Sequence, residues 1–206
     1  MNLQEGIIEE FQRHFNKYIN SVKRIEYNGK FLDSYKKLNG AIAAEIIKNN
    51  IKTILESHNL PYKITENNVY IEGCFTEWDL LIVKKNAINL DGLPIYRLDD
   101  VVVVVECKAF GLFFNSKNKN YNPLEKFLSS YKMLQANNEN LRPIYITLSE
   151  QFPKRQGSIS YIELTKEVMY QGTGCFDNVF CFSKNKKEPY LENGCEWEDF
   201  ILNILA

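Results

Sequence analysis

Val101-Val102-Val103-Val104-Val105-Glu106-Cys107-Lys108 opens on five β-branched residues and closes on two charges flanking a thiol. Consecutive valines favour extended backbone. A strand that is apolar on both faces has to be covered from both sides, which places it at the centre of a sheet flanked by helices. Side chains alternate along a strand, so Glu106 and Lys108 share a face with Val102 and Val104, and Cys107 joins Val101, Val103 and Val105. An acid and a base thus emerge together at the carboxyl end of a central strand. Charges held there away from water are costly unless paired, and the partner is either the other charge, a third charge or a metal.

Upstream, Leu80-Leu81-Ile82-Val83 is a second run apolar on both faces, and Asp79 stands immediately before it, with Glu77 as the competing acid on the same face. A strand from Thr76 to Val83 beside the valine strand would let Asp79 and Glu106 converge. Two carboxylates, a main-chain carbonyl from the Cys107 position and waters form the oxygen shell that Mg²⁺ or Mn²⁺ prefers. Lys108 is then placed to orient a water or to stabilise charge on a phosphate oxygen.

A third acid lies on a helix predicted from Asp33, a suitable N-cap, to His58, ended by Asn59-Leu60-Pro61. With Leu38 set at zero, a 100° step puts Ile42 near 40° and Glu45 near 340°, inside an apolar stripe and aimed at the core. The small residues Ala41, Ala43 and Ala44 permit close approach to a sheet.

The rest of the chain reads as elements of ordinary length. Apolar residues at three- and four-residue steps make an amphipathic helix of Leu3 to Ile25. Tyr62 to Ile71 is a strand or a short hairpin, and Asp99-Asp100 are turn residues ahead of the valines. Helices are predicted over Pro123–Ala136, Ile159–Tyr170 and Trp197–Leu205, and strands over Pro143–Leu148 and Asn178–Phe182. Gly172-Thr173-Gly174 is a turn between helix and strand and not a phosphate loop. No repeat or Pro/Gly/Ser linker divides the chain, which predicts one α/β domain over 1–206: a mixed central β-sheet flanked by helices on both faces. Within it, helices fill 1–60, the core sheet 61–110, and a basic loop, a helix and the remaining strands 111–206.

Composition narrows the chemistry. The 206 residues are 45% hydrophobic and 25% charged with a net charge of −1, which excludes long disorder and any overall basic field. The five cysteines contain no C-x-x-C pair, and with only two histidines, His-rich metal sites and most Ser-His or Cys-His schemes lack their base. No apolar stretch approaches the ~20 residues that span a bilayer, and Met1-Asn2-Leu3-Gln4-Glu5 is not a secretory start, so a cytoplasmic protein without membrane contact is expected. Between Ala109 and Ser160 basic residues outnumber acidic ones. Lys117 and Lys119 lie in a polar loop, Lys132 on the next helix, and Lys154-Arg155 before another helix, all suited to phosphate contacts. Tyr131 and Gln135 are weaker members of this set, Tyr131 being equally suited to core packing.

Glu45 on a helix, Asp79 at a strand and Glu106-x-Lys108 at the end of the next strand resemble, in type and order, the PD-(D/E)XK phosphodiesterase superfamily. The resemblance covers Leu38 to Phe110, and Trp78 stands where the motif's name has proline. It implies a restriction-endonuclease-like fold and a metal-dependent nuclease, most simply a DNA endonuclease of restriction, defence or repair type. It also implies that Asp79 and Glu106 bind Mg²⁺ or Mn²⁺, that Glu45 binds it or positions water, and that Lys108 assists the attack on phosphorus. Nucleic acid, DNA ahead of RNA, is the implied partner, with homodimerisation, through the N-terminal helix for example, suited to a duplex cutter. The alternative is a nuclease-like fold retained as a nucleic-acid-binding or assembly module, its charges forming a structural ion-pair network.

Overall fold

The structure is a computed structural model and describes residues 3–22, 31–109, 123–150, 161–174, 178–184 and 188–206. Two helices, α1 (Leu3–Val22) and α2 (Phe31–Ser57), precede the strands β1 (Tyr62–Ile64), β2 (Val69–Ile71), β3 (Cys74–Trp78), β4 (Leu80–Lys84), β5 (Ile95–Tyr96) and β6 (Val101–Lys108). There follow α3 (Pro123–Gln135), β7 (Arg142–Thr147), α4 (Tyr161–Thr173), β8 (Val179–Cys181), β9 (Ser183–Lys184), β10 (Glu188–Pro189) and α5 (Trp197–Leu205).

The valine strand β6 is the middle of a five-stranded mixed sheet of order β1-β4-β6-β7-β8. β1, β4 and β6 pair antiparallel, whereas β7 and β8 extend the sheet in parallel. Parallel neighbours need a crossover, and α3 and α4 lie between β6 and β7 and between β7 and β8. One face of the sheet buries Val103, Val105, Ile144 and Ile146 with residues of α1, α2 and α5. The other buries Leu81, Val104 and Tyr145 with residues of α3, α4 and Trp78. This is the expected mixed sheet with helices on both faces. No helix among the described residues is long and apolar enough to cross a membrane.

Three local departures from the sequence reading bear on the site. The segment Tyr62–Ile71 is no hairpin: β1 pairs with β4, whereas β2 pairs with β3 and β5 in a separate three-stranded sheet. The chain changes sheets at Asn67-Asn68, where Asn68 adopts φ +60, a conformation asparagine tolerates. The strand expected over Thr76–Val83 is likewise two strands interrupted at Asp79. Beyond the Leu80–Val105 pair, the Cys107 N–H donates to the Asp79 carboxylate (2.7 Å) and the Asn68 N–H to the Asp79 carbonyl (3.2 Å). Finally, register with β4 shifts between Ile82–Val103 and Val83–Val101, so Val102 is a bulge residue. Val101 consequently packs on the Val104 face, while Val103 through Lys108 keep their alternation.

Smaller differences follow from chain ends. Helix α2 begins at Phe31, so Asp33 lies inside it, and α4 runs to Thr173 before Gly174, at φ +77, donates its N–H to Tyr170 (2.7 Å). The apolar side of α1 is not a free interface: Ile7, Ile8 and Phe11 are buried in the core shared with α2. Gln4, also buried, donates to the carbonyls of Phe182 (2.8 Å) and Tyr190 (3.2 Å), tying the start of the chain to its end.

Candidate active site at the β4–β6 strand ends

Because Leu80 pairs with Val105, the antiparallel register sets Asp79 opposite Glu106. Asp79 caps β4 from outside the ladder and Glu106 continues the Val104 face beyond the last valine. Lys108, two residues on, reaches back over the same face. Its Nζ lies 3.6 Å from Asp79 Oδ2 and donates to Glu106 Oε1. The side chains of Lys108 and Asp79 are each 31% exposed and that of Glu106 16%, so the cluster is a shallow mouth and not a sealed ion pair.

The environment sharpens the charges. Burial pushes the Glu106 carboxyl above its ordinary value; Lys108 draws it back, and Asp79 adds to the rise. Burial works against the Lys108 ammonium, but Glu106 and Asp79 more than reverse that and hold it above the usual lysine value. The Cys107 thiol, on the opposite face, is raised by burial and then by Asp79, so it is a neutral core group. Two carboxylates against one ammonium leave the mouth one negative charge in excess.

That donor set fits a hard divalent cation, and the Lys108 ammonium already occupies a cationic position between the carboxylates. Among the described residues no three His, Cys, Asp or Glu side chains gather around one point. Mg²⁺ needs no such cage: it keeps several waters and is held by one or two carboxylates together with substrate phosphates. Asp79 and Glu106 are the side chains that would hold it, with the Cys107 main chain contributing oxygen and not sulfur.

Glu45 does not join them. Its side chain is 49% exposed and pairs with Lys48 (2.9 Å), with Asn67 Nδ2 at 3.2 Å and Asn49 Nδ2 at 3.4 Å. Lys48 holds its carboxyl below the ordinary value, against the effect of burial. The correction is one of helix phase: the buried stripe of α2 runs through Ala43, Ile47, Ile51 and Ile54, which lies on the far side of the helix from Glu45. Glu45 is linked to the cluster only through the turn: Asn67 bonds it, and the N–H of the next residue, Asn68, bonds the Asp79 carbonyl.

The other sequence candidates separate. Glu77 is exposed and accepts from Tyr70 Oη at 2.7 Å. Lys132 is exposed on α3, Tyr131 is buried with its hydroxyl donating to Leu141 (3.1 Å) as a packing residue, and Gln135 is half-buried. Lys117, Lys119, Lys154 and Arg155 lie outside the described residues.

Two residues near the mouth escaped the sequence reading. Tyr145 stands opposite Glu106 in the parallel register of β6 and β7, and its phenol is raised well above the ordinary value by burial, then by Glu106 and Asp79. The positive charge of Lys126 on α3 reaches Glu106 and helps to lower its carboxyl. On α3, Lys132 is turned about 120° from Lys126, away from this side. Only the strand order, which no local pattern carries, could have singled out Tyr145.

Neither a scan against protein families nor a search of the curated proteins finds a match for this sequence. Among solved structures the chain is similar to NucC of P. aeruginosa in its cAAA-bound form, with a TM-score of 0.46 and 9% identity over 84% of this chain and 73% of that chain.

Proposed function

We propose that the protein is a metal-dependent nuclease that hydrolyses phosphodiester bonds, with DNA as the preferred substrate and restriction, defence or repair as its setting. The observation that carries this reading is the meeting of Asp79, Glu106 and Lys108 at the interrupted end of β4, with net negative charge and access to solvent. A bound Mg²⁺ supplies Lewis acidity and a water of lowered pKa. The chain supplies the rest. Asp79 and Glu106 present oxygen donors from two strands locked in register by the Cys107 N–H. Lys108, protonated at neutral pH, is placed to orient the attacking water and to neutralise charge that builds on phosphate oxygens. Glu45 requires release from Lys48 to take part.

A second reading has its own observation: Lys108 already closes the ion pair with Glu106, as a structural network in an inactive nucleic-acid-binding module would. Plasmid DNA, single-stranded DNA and RNA, each incubated with Mg²⁺, Mn²⁺ or EDTA, decide between them. Metal-dependent cutting by the wild type that is lost in Glu106→Ala and Lys108→Ala supports the nuclease. Binding without cutting by any form supports the module.

A further inference from the structure

A groove of about 510 Å³ runs between α2 and the edge strand β1. Its walls carry Lys48, Lys52, Lys63 and Lys85 against Glu56 and Glu66, an excess of two positive charges in a chain whose overall charge is −1. Lys48 is held between Glu45 and Glu66, and Lys52 faces Glu56 at 3.9 Å. Among the described residues no carboxylate pairs with Lys63, whose Nζ donates to the Ala87 carbonyl (2.6 Å), or with Lys85. Below the charges the lining is apolar: Leu55, Leu60, Ile64 and the ring of Tyr62.

The groove has a direction. At its near end Lys48 and Glu66 adjoin Glu45 and the Asn67-Asn68 turn that contacts Asp79. From Lys48 to Glu56 the helix wall is roughly 12 Å long. At the far end lie Tyr62 and Lys85, because Tyr62 pairs with Lys84 at the end of β4 opposite to Asp79. Basic groups spaced along an apolar, partly aromatic floor suit a chain of phosphates carrying flat bases, and the size is that of a small-ligand cleft and not of a duplex.

We propose that this groove binds a single strand of nucleic acid leading away from the Asp79–Glu106 mouth. The lysines contact its phosphates, and Tyr62 with its apolar neighbours receives a base. The inference rests on the nuclease reading for its connection to cutting, though not for the binding itself.

Fluorescence anisotropy with a labelled oligothymidylate and with a duplex of equal length, both in EDTA, tests it on the full chain. In Lys52→Gln/Lys85→Gln the dissociation constant for the single strand rises about tenfold and the salt slope falls by about 1.4, two phosphate contacts at ~0.7 each. Duplex binding changes far less, and Lys52→Arg/Lys85→Arg keeps single-strand binding. Unchanged circular dichroism and melting show that the variants fold. Equal loss for both nucleic acids, or none for either, overturns the proposal, as does binding of AMP in the groove with no oligonucleotide binding. The two readings fail separately. A wild type that binds the strand through these lysines yet cuts nothing sinks the nuclease and leaves the groove; one that cuts while the double glutamine variant binds normally sinks the groove alone.

Discussion

Lys108 sets the charge balance of the mouth, since it is the ammonium in contact with both carboxylates, and without it Asp79 and Glu106 would face each other across the register with no cation between them. Lys108→Met is therefore expected to lower stability by about 1–2 kcal/mol, less than for a fully buried pair because a third of the side chain reaches water. Millimolar Mg²⁺ restores most of that loss by replacing the ammonium, as urea melts with and without the ion would show. A variant as stable as the wild type, or indifferent to Mg²⁺, argues against paired carboxylates in the mouth.

Thiols give a second residue-scale expectation. Burial pushes the Cys181 thiol up to about 12, against an ordinary value of 9.0, and raises that of Cys107 as well. The folded state holds these protons more tightly than the unfolded chain. Their contribution is thus complete below about pH 9 and is lost as pH climbs toward 12, by up to about 1.4 kcal/mol per pH unit per group. Urea melts from pH 8 to 11 should show that decline, and Cys181→Ala should make it shallower; an identical slope in the variant counts against the assignment. Asp79, Glu106 and Lys108 were legible in the sequence because each interrupts or ends a run apolar on both faces. Glu45 was misphased because alanines fit either side of a helix, and the true stripe is declared only by the isoleucines after it.

At the scale of elements, the interruption between β3 and β4 does the positioning. A carboxylate oxygen takes the place of a ladder carbonyl at Cys107, so one side chain both ends the pairing and is fixed by it. Asp79→Asn keeps an oxygen acceptor and should retain stability to within about 1 kcal/mol while removing the charge. Asp79→Ala leaves the Cys107 N–H without that partner and should cost about 1–3 kcal/mol. Urea melts of the pair separate the two contributions, and equal losses in both variants would mean that the hydrogen bond is not what holds the strands. Sequence pattern located β6, β7, α3 and α5 closely, since each is an unbroken apolar or amphipathic run bounded by polar or turn residues. It merged β3 with β4 and overlooked the Val102 bulge, because apolar residues on both sides of each break carry no alternation to lose. The two-residue strands β5, β9 and β10 are too short to show a period at all.

Across the whole molecule, two cores clamp the sheet, and the mouth lies where the sheet's antiparallel half meets its parallel half at β6. On one side α5 seals the sheet through Trp197, whose ring lies 5.1 Å from Phe180 and 4.9 Å from Phe182. On the other, Phe127 of α3 packs edge-on against Trp78 at 5.6 Å and against Tyr145 at 6.2 Å, bracing the residue that precedes Asp79 and the residue of β7 that stands opposite Glu106. The α/β class followed from the valine run together with the helices and strands that alternate around it, whereas strand order and the groove along β1 arise from which distant segments pair, which no local window contains. Titration of Mn²⁺ into the protein, followed by calorimetry, asks most directly whether this architecture builds a cation site. The account predicts binding by the wild type and by Lys108→Met that is lost in Asp79→Asn and in Glu106→Gln. Absence of binding by the wild type, or equal binding by all four proteins, would contradict it.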